Sequence, residues 1–157
     1  MTRKYCPEAM LMDKYPGSSD RVVLDNAADE VHLPHVDSCV ALVFKLSSGE
    51  IHCAHVSQGL GTDRGIDARW ADMIVALKAG FGNDRVTSLY GIGSTEWGPR
   101  VCSLMMELDL DPGENAWWWG NAKLADGVDV TVQFNGSITV DDHKTGQRLG
   151  QFAATLV

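Results

Sequence analysis

Apolar and polar positions follow two rhythms along this chain. "CVALVFKL" and "EIHCAHVS" are almost continuously apolar, rich in β-branched residues and interrupted only by "SSG". That pattern predicts a buried β-hairpin with a loop of about three to five residues. From Asp67 to Ala79, "DARWADMIVALKA" sets Trp70, Met73, Ile74 and Leu77 at helical spacing. Asp67 is the expected N-cap of that helix and Gly80 its stop. Near the C-terminus, "DVTVQFNGSITVDDHKTGQRLGQFA" alternates and is punctuated by "NG" and "KTG", which reads as a meander whose turns accept positive φ.

The remaining segments are shorter. "RVVLDN", "RVTSLYGIGS" and "AWWWGNAKL" read as strands, and so does "RVCSLMMELDL", although "LMMEL" could also open a helix. In a strand, Trp117 and Trp119 face one side and Trp118 the other. Residues 1–20 are mixed and turn-rich, closing in "YPGSSD", and are expected to be loosely ordered or to wrap around the rest. No repeat, low-complexity tract or Pro-rich linker divides the sequence. The expectation is one domain over residues 1–157 with an α+β fold: mainly antiparallel twisted sheets packed with one or two helices.

Composition narrows the partners. The 157 residues carry 13 Lys and Arg against 21 Asp and Glu, a net charge of -8. Such a field repels phosphate backbones and anionic lipid headgroups, so neither nucleic acid nor membrane is an expected partner. No apolar run approaches the roughly 20 residues of a membrane helix, and "MTRKYCPEAMLMDKYPG" lacks the apolar centre of a signal peptide. A cytoplasmic protein is expected, or one exported as an effector without a cleaved signal. The 4 cysteines form no CxxC pair, as expected of reduced thiols.

Four of the 5 histidines and two of the 4 cysteines fall within "HLPHVDSCVALVFKLSSGEIHCAHVSQG". Three readings fit that cluster. In the first, Cys39 and Cys53 are small buried hydrophobes and the histidines line the hairpin or bond within the core. In the second, His32, His35, Cys39, His52, Cys53 and His55 supply a zinc site, imidazole and thiolate being the ligands zinc prefers. Strand parity opposes the full set, because His52 points away from Cys53 and His55. In the third, Cys39 is a nucleophile and His55 its base. Pairing Phe44 with Glu50 around "KLSSG" sets Cys39 opposite His55, about 5 Å apart at Cβ. An adjacent imidazole then favours the thiolate that attacks a carbonyl.

The third reading gains from a resemblance. "DSCVALVF" followed by a hairpin turn and "CAHV" resembles the "GSCVAV…MAHV" signature of the CheD-type chemoreceptor glutamine deamidases. Their catalytic cysteine and histidine correspond to Cys39 and His55. "ARWADMIVALKAGFG" is similar to that family's helix, "DRVTSLYGIGSTEW" to its next strand, and "KTGQRLGQF" to its last. Deamidating toxins resembling cytotoxic necrotizing factor share the cysteine and histidine arrangement. The resemblance implies a CheD-like α/β/β sandwich and a hydrolase without cofactor, whose substrate is a protein presenting a glutamine. Its setting would be chemotaxis or an effector role. The chain departs from the family in three places. Leu33 stands where the family has a threonine that orients the histidine, and Asp37-Ser38 replaces Gly-Ser. The stretch from Val101 through the tryptophans reads as strand where the family has its second helix. His35, Asp37 or Ser57 is then the candidate to orient His55. The alternative on the same fold is a non-catalytic acidic binding or immunity-like protein, and the third is a zinc-binding domain using His32, His35, Cys39, Cys53 and His55.

Two further motifs carry less. "GIGST" lacks the spacing of a phosphate loop, and "DLDPGEN" lacks the ligand spacing of a calcium loop. His143, beside two aspartates, reads as part of a polar hairpin tip.

Overall fold

The computed structural model describes residues 2–10, 21–57, 66–120 and 127–152. In chain order the elements are β1 (Thr2–Tyr5), β2 (Glu8–Met10), β3 (Val22–Leu24), β4 (Asp29–Val36), β5 (Val40–Leu46), β6 (Ile51–Ser57), α1 (Ile66–Phe81) and β7 (Val86–Gly93). A short 3-10 turn (Thr95–Trp97) leads into α2 (Gly98–Glu107), followed by β8 (Ala116–Gly120), β9 (Val128–Gln133), β10 (Ile138–Asp142) and β11 (Arg148–Phe152). The fold is α+β. One sheet has the order β1-β4-β9-β10-β11; the other has β2-β6-β5-β7-β8, with β3 also paired to β6.

Strand parity builds three layers. Val40, Leu42, Phe44, Leu46, Ala54 and Val56 share a core with Trp70, Met73, Ile74 and Leu77 of α1 and with Val101, Leu104 and Met105 of α2. The alternate positions Ala41, Val43, Ile51 and Cys53 meet Leu33, Val130, Val132 and Val140 of the first sheet. The hairpin strands therefore lie in the middle layer, which explains their near-continuous apolar sequence: both faces are covered. β9 instead alternates buried and half-buried residues, as expected of a sheet with one face toward solvent.

The hairpin corrects the expected register. Phe44 pairs with His52, not Glu50. The loop is only Ser47, Ser48 and Gly49: Gly49 N–H donates to Leu46 O at 2.9 Å and Leu46 N–H to Glu50 O at 2.9 Å. Gly49 has φ +95, so this is the three-residue turn that needs glycine at its left-handed position. The shift of two residues keeps every side chain on its expected face.

"RVCSLMMEL" is helix, not strand. Pro99 occupies the first turn of α2, where its missing N–H costs nothing. Leu104 and Met105 are buried while Met106 is exposed. At the C-terminus Asp109 adopts φ +56. Its N–H donates to Met106 O, and the N–H of Leu110 to Met105 O, the paired bonds of a Schellman ending.

α1 is as the spacing predicts on its buried face. It runs past Gly80 to Phe81, and Gly82, at φ +65, follows it. Asp67 lies inside the first turn, where it meets Arg100 at 2.9 Å rather than capping the helix.

The N-terminal stretch wraps. β1 adds parallel to β4 in one sheet, and β2 adds parallel to β6 in the other, so residues 2–10 bridge the two. Residues 11–20 lie outside the described residues. No helix among the described residues is long and apolar enough to cross a membrane.

Candidate functional site

Cys39 lies where the chain passes from the first sheet to the second, between β4 and β5. The crossover is tightly held. Trp97 Nε1 donates to Ser38 O at 2.9 Å, and the N–H of Ser94 donates to Cys39 O at 3.1 Å. A Cβ on Gly93 would stand 2.3 Å from Cys39 O; one on Gly127 would stand 2.4 Å from Val36 O. Glycine at both positions lets neighbouring backbone close on the segment from either side.

The observed register leaves Cys39 and His55 on the same face, offset along the hairpin rather than directly opposite. Ala41 faces His55 and Val40 faces Val56; continued by one residue, the ladder sets Ser57 opposite Cys39. On the far side of β6, Glu8 pairs with His55. The outcome is a trio. The Cys39 sulfur, a His55 ring nitrogen and a Glu8 carboxylate oxygen all lie within 4.8 Å of one another, and the thiol donates to Glu8 Oε1 at 3.5 Å.

Cys39 is 5% exposed and His55 2%, while Glu8 is exposed. Burial, then the Glu8 charge and its hydrogen bond, push the Cys39 thiol up to about 12; the backbone of Asp37 and the hydroxyl of Ser38 pull the other way. The resting thiol is neutral. Burial also lowers His55, opposed by the Glu8 charge and reinforced by His35. His55 is therefore a neutral imidazole able to accept a proton. His55 Nε2 and Ser57 Oγ are buried without hydrogen-bond partners among the described residues.

His35, Asp37 and Ser57, the expected orienting residues, take different places. Ser57 is buried on the site's face. Asp37 is exposed and contributes its backbone. His35 is exposed, at φ +56, in a bulge between Leu33 and Val36. Asp129 Oδ1 accepts the His35 N–H at 2.8 Å and meets His143 Nδ1 at 2.7 Å, and the two imidazoles stack at 4.4 Å. Desolvation raises the Asp129 carboxyl, but the bonds from His35 and His143 outweigh it and leave it below the usual range.

The alternative zinc set of His32, His35, Cys39, Cys53 and His55 does not come together among the described residues. His32 meets Thr131 Oγ1 at 3.3 Å, with its ring edge-on to Tyr5. Cys53 is fully buried between the sheets, where its carbonyl accepts from the Cys6 thiol at 3.5 Å. His52 faces α1, against Phe81. Parity and placement in different sheets separate these groups. Leu33 is wholly buried in the core and takes no part.

Glu8 is the member that sequence reasoning missed. Its only sequence signal is a carboxylate in the three-residue segment "EAM", too short to show a period.

A cleft of about 460 Å³ lies at the other end of β7, lined by Arg85, Ser88, Asn115 and Trp117 among others. It touches none of the trio. Trp117 stacks on Tyr90 at 4.4 Å. Trp117 and Trp119 pack half-buried against the inter-sheet core and Trp118 against the helix-side core, as strand parity requires.

Comparison with protein-family models and with curated proteins gives no match.

Proposed function

We propose that the protein is a cysteine-dependent amidohydrolase that deamidates a glutamine presented by another protein. The observation that carries this reading is the convergence of Cys39, His55 and Glu8 within 4.8 Å at the start of β5. His55 takes the thiol proton as Cys39 Sγ attacks the side-chain amide carbon. The C–N bond then breaks, ammonia leaves with the proton held by His55, and a thioester remains. Water, deprotonated by His55, cleaves the C–S bond to give glutamate and restore the thiol. Glu8 fills the role of the missing threonine, since its negative charge favours the imidazolium that forms between the two proton transfers. Thiol and imidazole both start neutral, so the ion pair forms during turnover rather than at rest. That Gly98–Glu107 is helical removes one of the three departures from the family pattern and supports this reading. A chemotaxis or an effector setting belongs to the same proposal.

A second reading has its own support. A thiol that is 5% exposed and pushed up to about 12 also fits an acidic binding or immunity-like protein that keeps the fold without turnover. One experiment separates the two. The protein and its Cys39→Ser variant are incubated with bacterial and eukaryotic lysates, and glutamine-to-glutamate conversion is mapped by mass spectrometry. The enzyme reading expects sites that vanish with Cys39→Ser and with His55→Gln. Absence of any Cys39-dependent site in both lysates overturns it in favour of the binder.

A further inference from the structure

We propose that Glu8, Cys39 and His55 form a binding site for a zinc-class divalent cation, with one coordination position left open. This goes beyond the amide chemistry: it uses the same three side chains but does not depend on turnover.

The first support is geometric. Zinc bonds of about 2.3 Å to sulfur and about 2.0–2.2 Å to nitrogen and oxygen require tetrahedral ligand pairs about 3.4–3.6 Å apart. The Cys39 sulfur and Glu8 oxygen already stand at 3.5 Å, and all three ligand atoms fall within 4.8 Å. Side-chain rotation can close the remaining gap. The backbone is fixed, because the ligands come from two paired strands and from the crossover entering a third strand of the same sheet.

The second support is chemical. One thiolate, one imidazole and one carboxylate match zinc or cobalt, whereas calcium and magnesium prefer oxygen alone. A ring nitrogen of His55 is one of the three clustered atoms, so a cation there would take the imidazole as a ligand alongside sulfur and carboxylate. A thiolate beside a carboxylate repels it, and a divalent cation between them reverses that. By contrast, His35 and His143 stack face to face, so that neighbouring pair of imidazoles does not converge on a point. Three protein ligands with an open position on the Glu8 side is the pattern of exchangeable zinc rather than of a closed structural site. A bound cation occupies the sulfur lone pair, so metal and electrophile compete for Cys39.

The test uses the full metal-free chain titrated with cobalt(II) alone, then with zinc. A thiolate-to-cobalt charge-transfer band saturating at one equivalent and lost on adding zinc is expected. Cys39→Ser abolishes the band, and Glu8→Gln weakens binding about tenfold or more. Cys102→Ser, at an exposed thiol, changes nothing. Zinc slows alkylation of Cys39 in the parent chain. The proposal is overturned if no band forms, if the band survives Cys39→Ser, or if it vanishes with Cys102→Ser. If Cys39→Ser does not fold, unchanged cobalt affinity in Glu8→Gln overturns it instead. The band reports bound metal whether or not any glutamine is converted, and the lysate assay is run with a zinc chelator present, so each proposal fails separately.

Discussion

Substituting Gly93 by alanine tests how closely the crossover is held. Gly93 pairs with Val40 across the ladder, and a Cβ there would stand 2.3 Å from Cys39 O, 2.8 Å from Val40 Cα and 3.2 Å from Cys39 C. All three are backbone atoms, so no side chain can rotate away. Overpacking of this kind costs about 1–3 kcal/mol. If Cys39 O is displaced from the N–H of Ser94, the lost hydrogen bond adds about 1 kcal/mol. The expected loss is therefore about 2–4 kcal/mol. With a urea slope of about 2 kcal/mol/M, the midpoint should fall by about 1–2 M while the slope stays unchanged. Gly49→Ala is the matched control: its φ of +95 carries backbone strain, but nothing lies within 4 Å of the added Cβ. It should cost about 1–2 kcal/mol and leave Cys39 alkylation as in the parent, whereas Gly93→Ala should change the alkylation rate because Cys39 itself moves. A Gly93→Ala chain within about 0.5 kcal/mol of the parent, with unaltered alkylation, would refute the close approach on which the site's rigidity rests.

Trp97→Phe should destabilise the chain by about 2–3 kcal/mol, because Ser38 O loses its donor at a wholly buried indole; calorimetry showing no shift in Tm would contradict this. Acidification should lower stability through His52. Burial holds this residue below the ordinary histidine range, although Glu50 opposes that shift. The unfolded chain therefore takes up the proton first, so the contribution is present above about pH 6.5 and is lost as pH falls toward the folded value. His52→Leu should flatten part of that loss in urea midpoints measured at about pH 7.5 and about pH 5.5, His32 and His55 supplying the rest. An unchanged slope in His52→Leu would count against the assignment.

The middle layer was readable because β5 and β6 are buried on both faces, and that requirement writes a continuous apolar run. α1 was readable from its period. The α2 segment in fact sets Val101, Leu104, Met105 and Leu108 at helical spacing, a stripe of barely two turns that a short apolar run hides; the "GP" before it is the further signal, since proline suits a helix's first turn. The hairpin register was misjudged by two residues because Lys45 and Leu46 belong to the strand rather than to the loop. The error preserved parity, so Cys39 and His55 still shared a face. Glu8 was illegible for a different reason: its place depends on a parallel pairing between residues far apart in the chain, and local pattern cannot report that.

Glu8 comes far ahead of His55 in the chain, yet its seat is the edge of β6. Because only three residues of edge strand hold the carboxylate, a proline introduced within them would disarm the centre while sparing the crossover and the strand that carry thiol and imidazole.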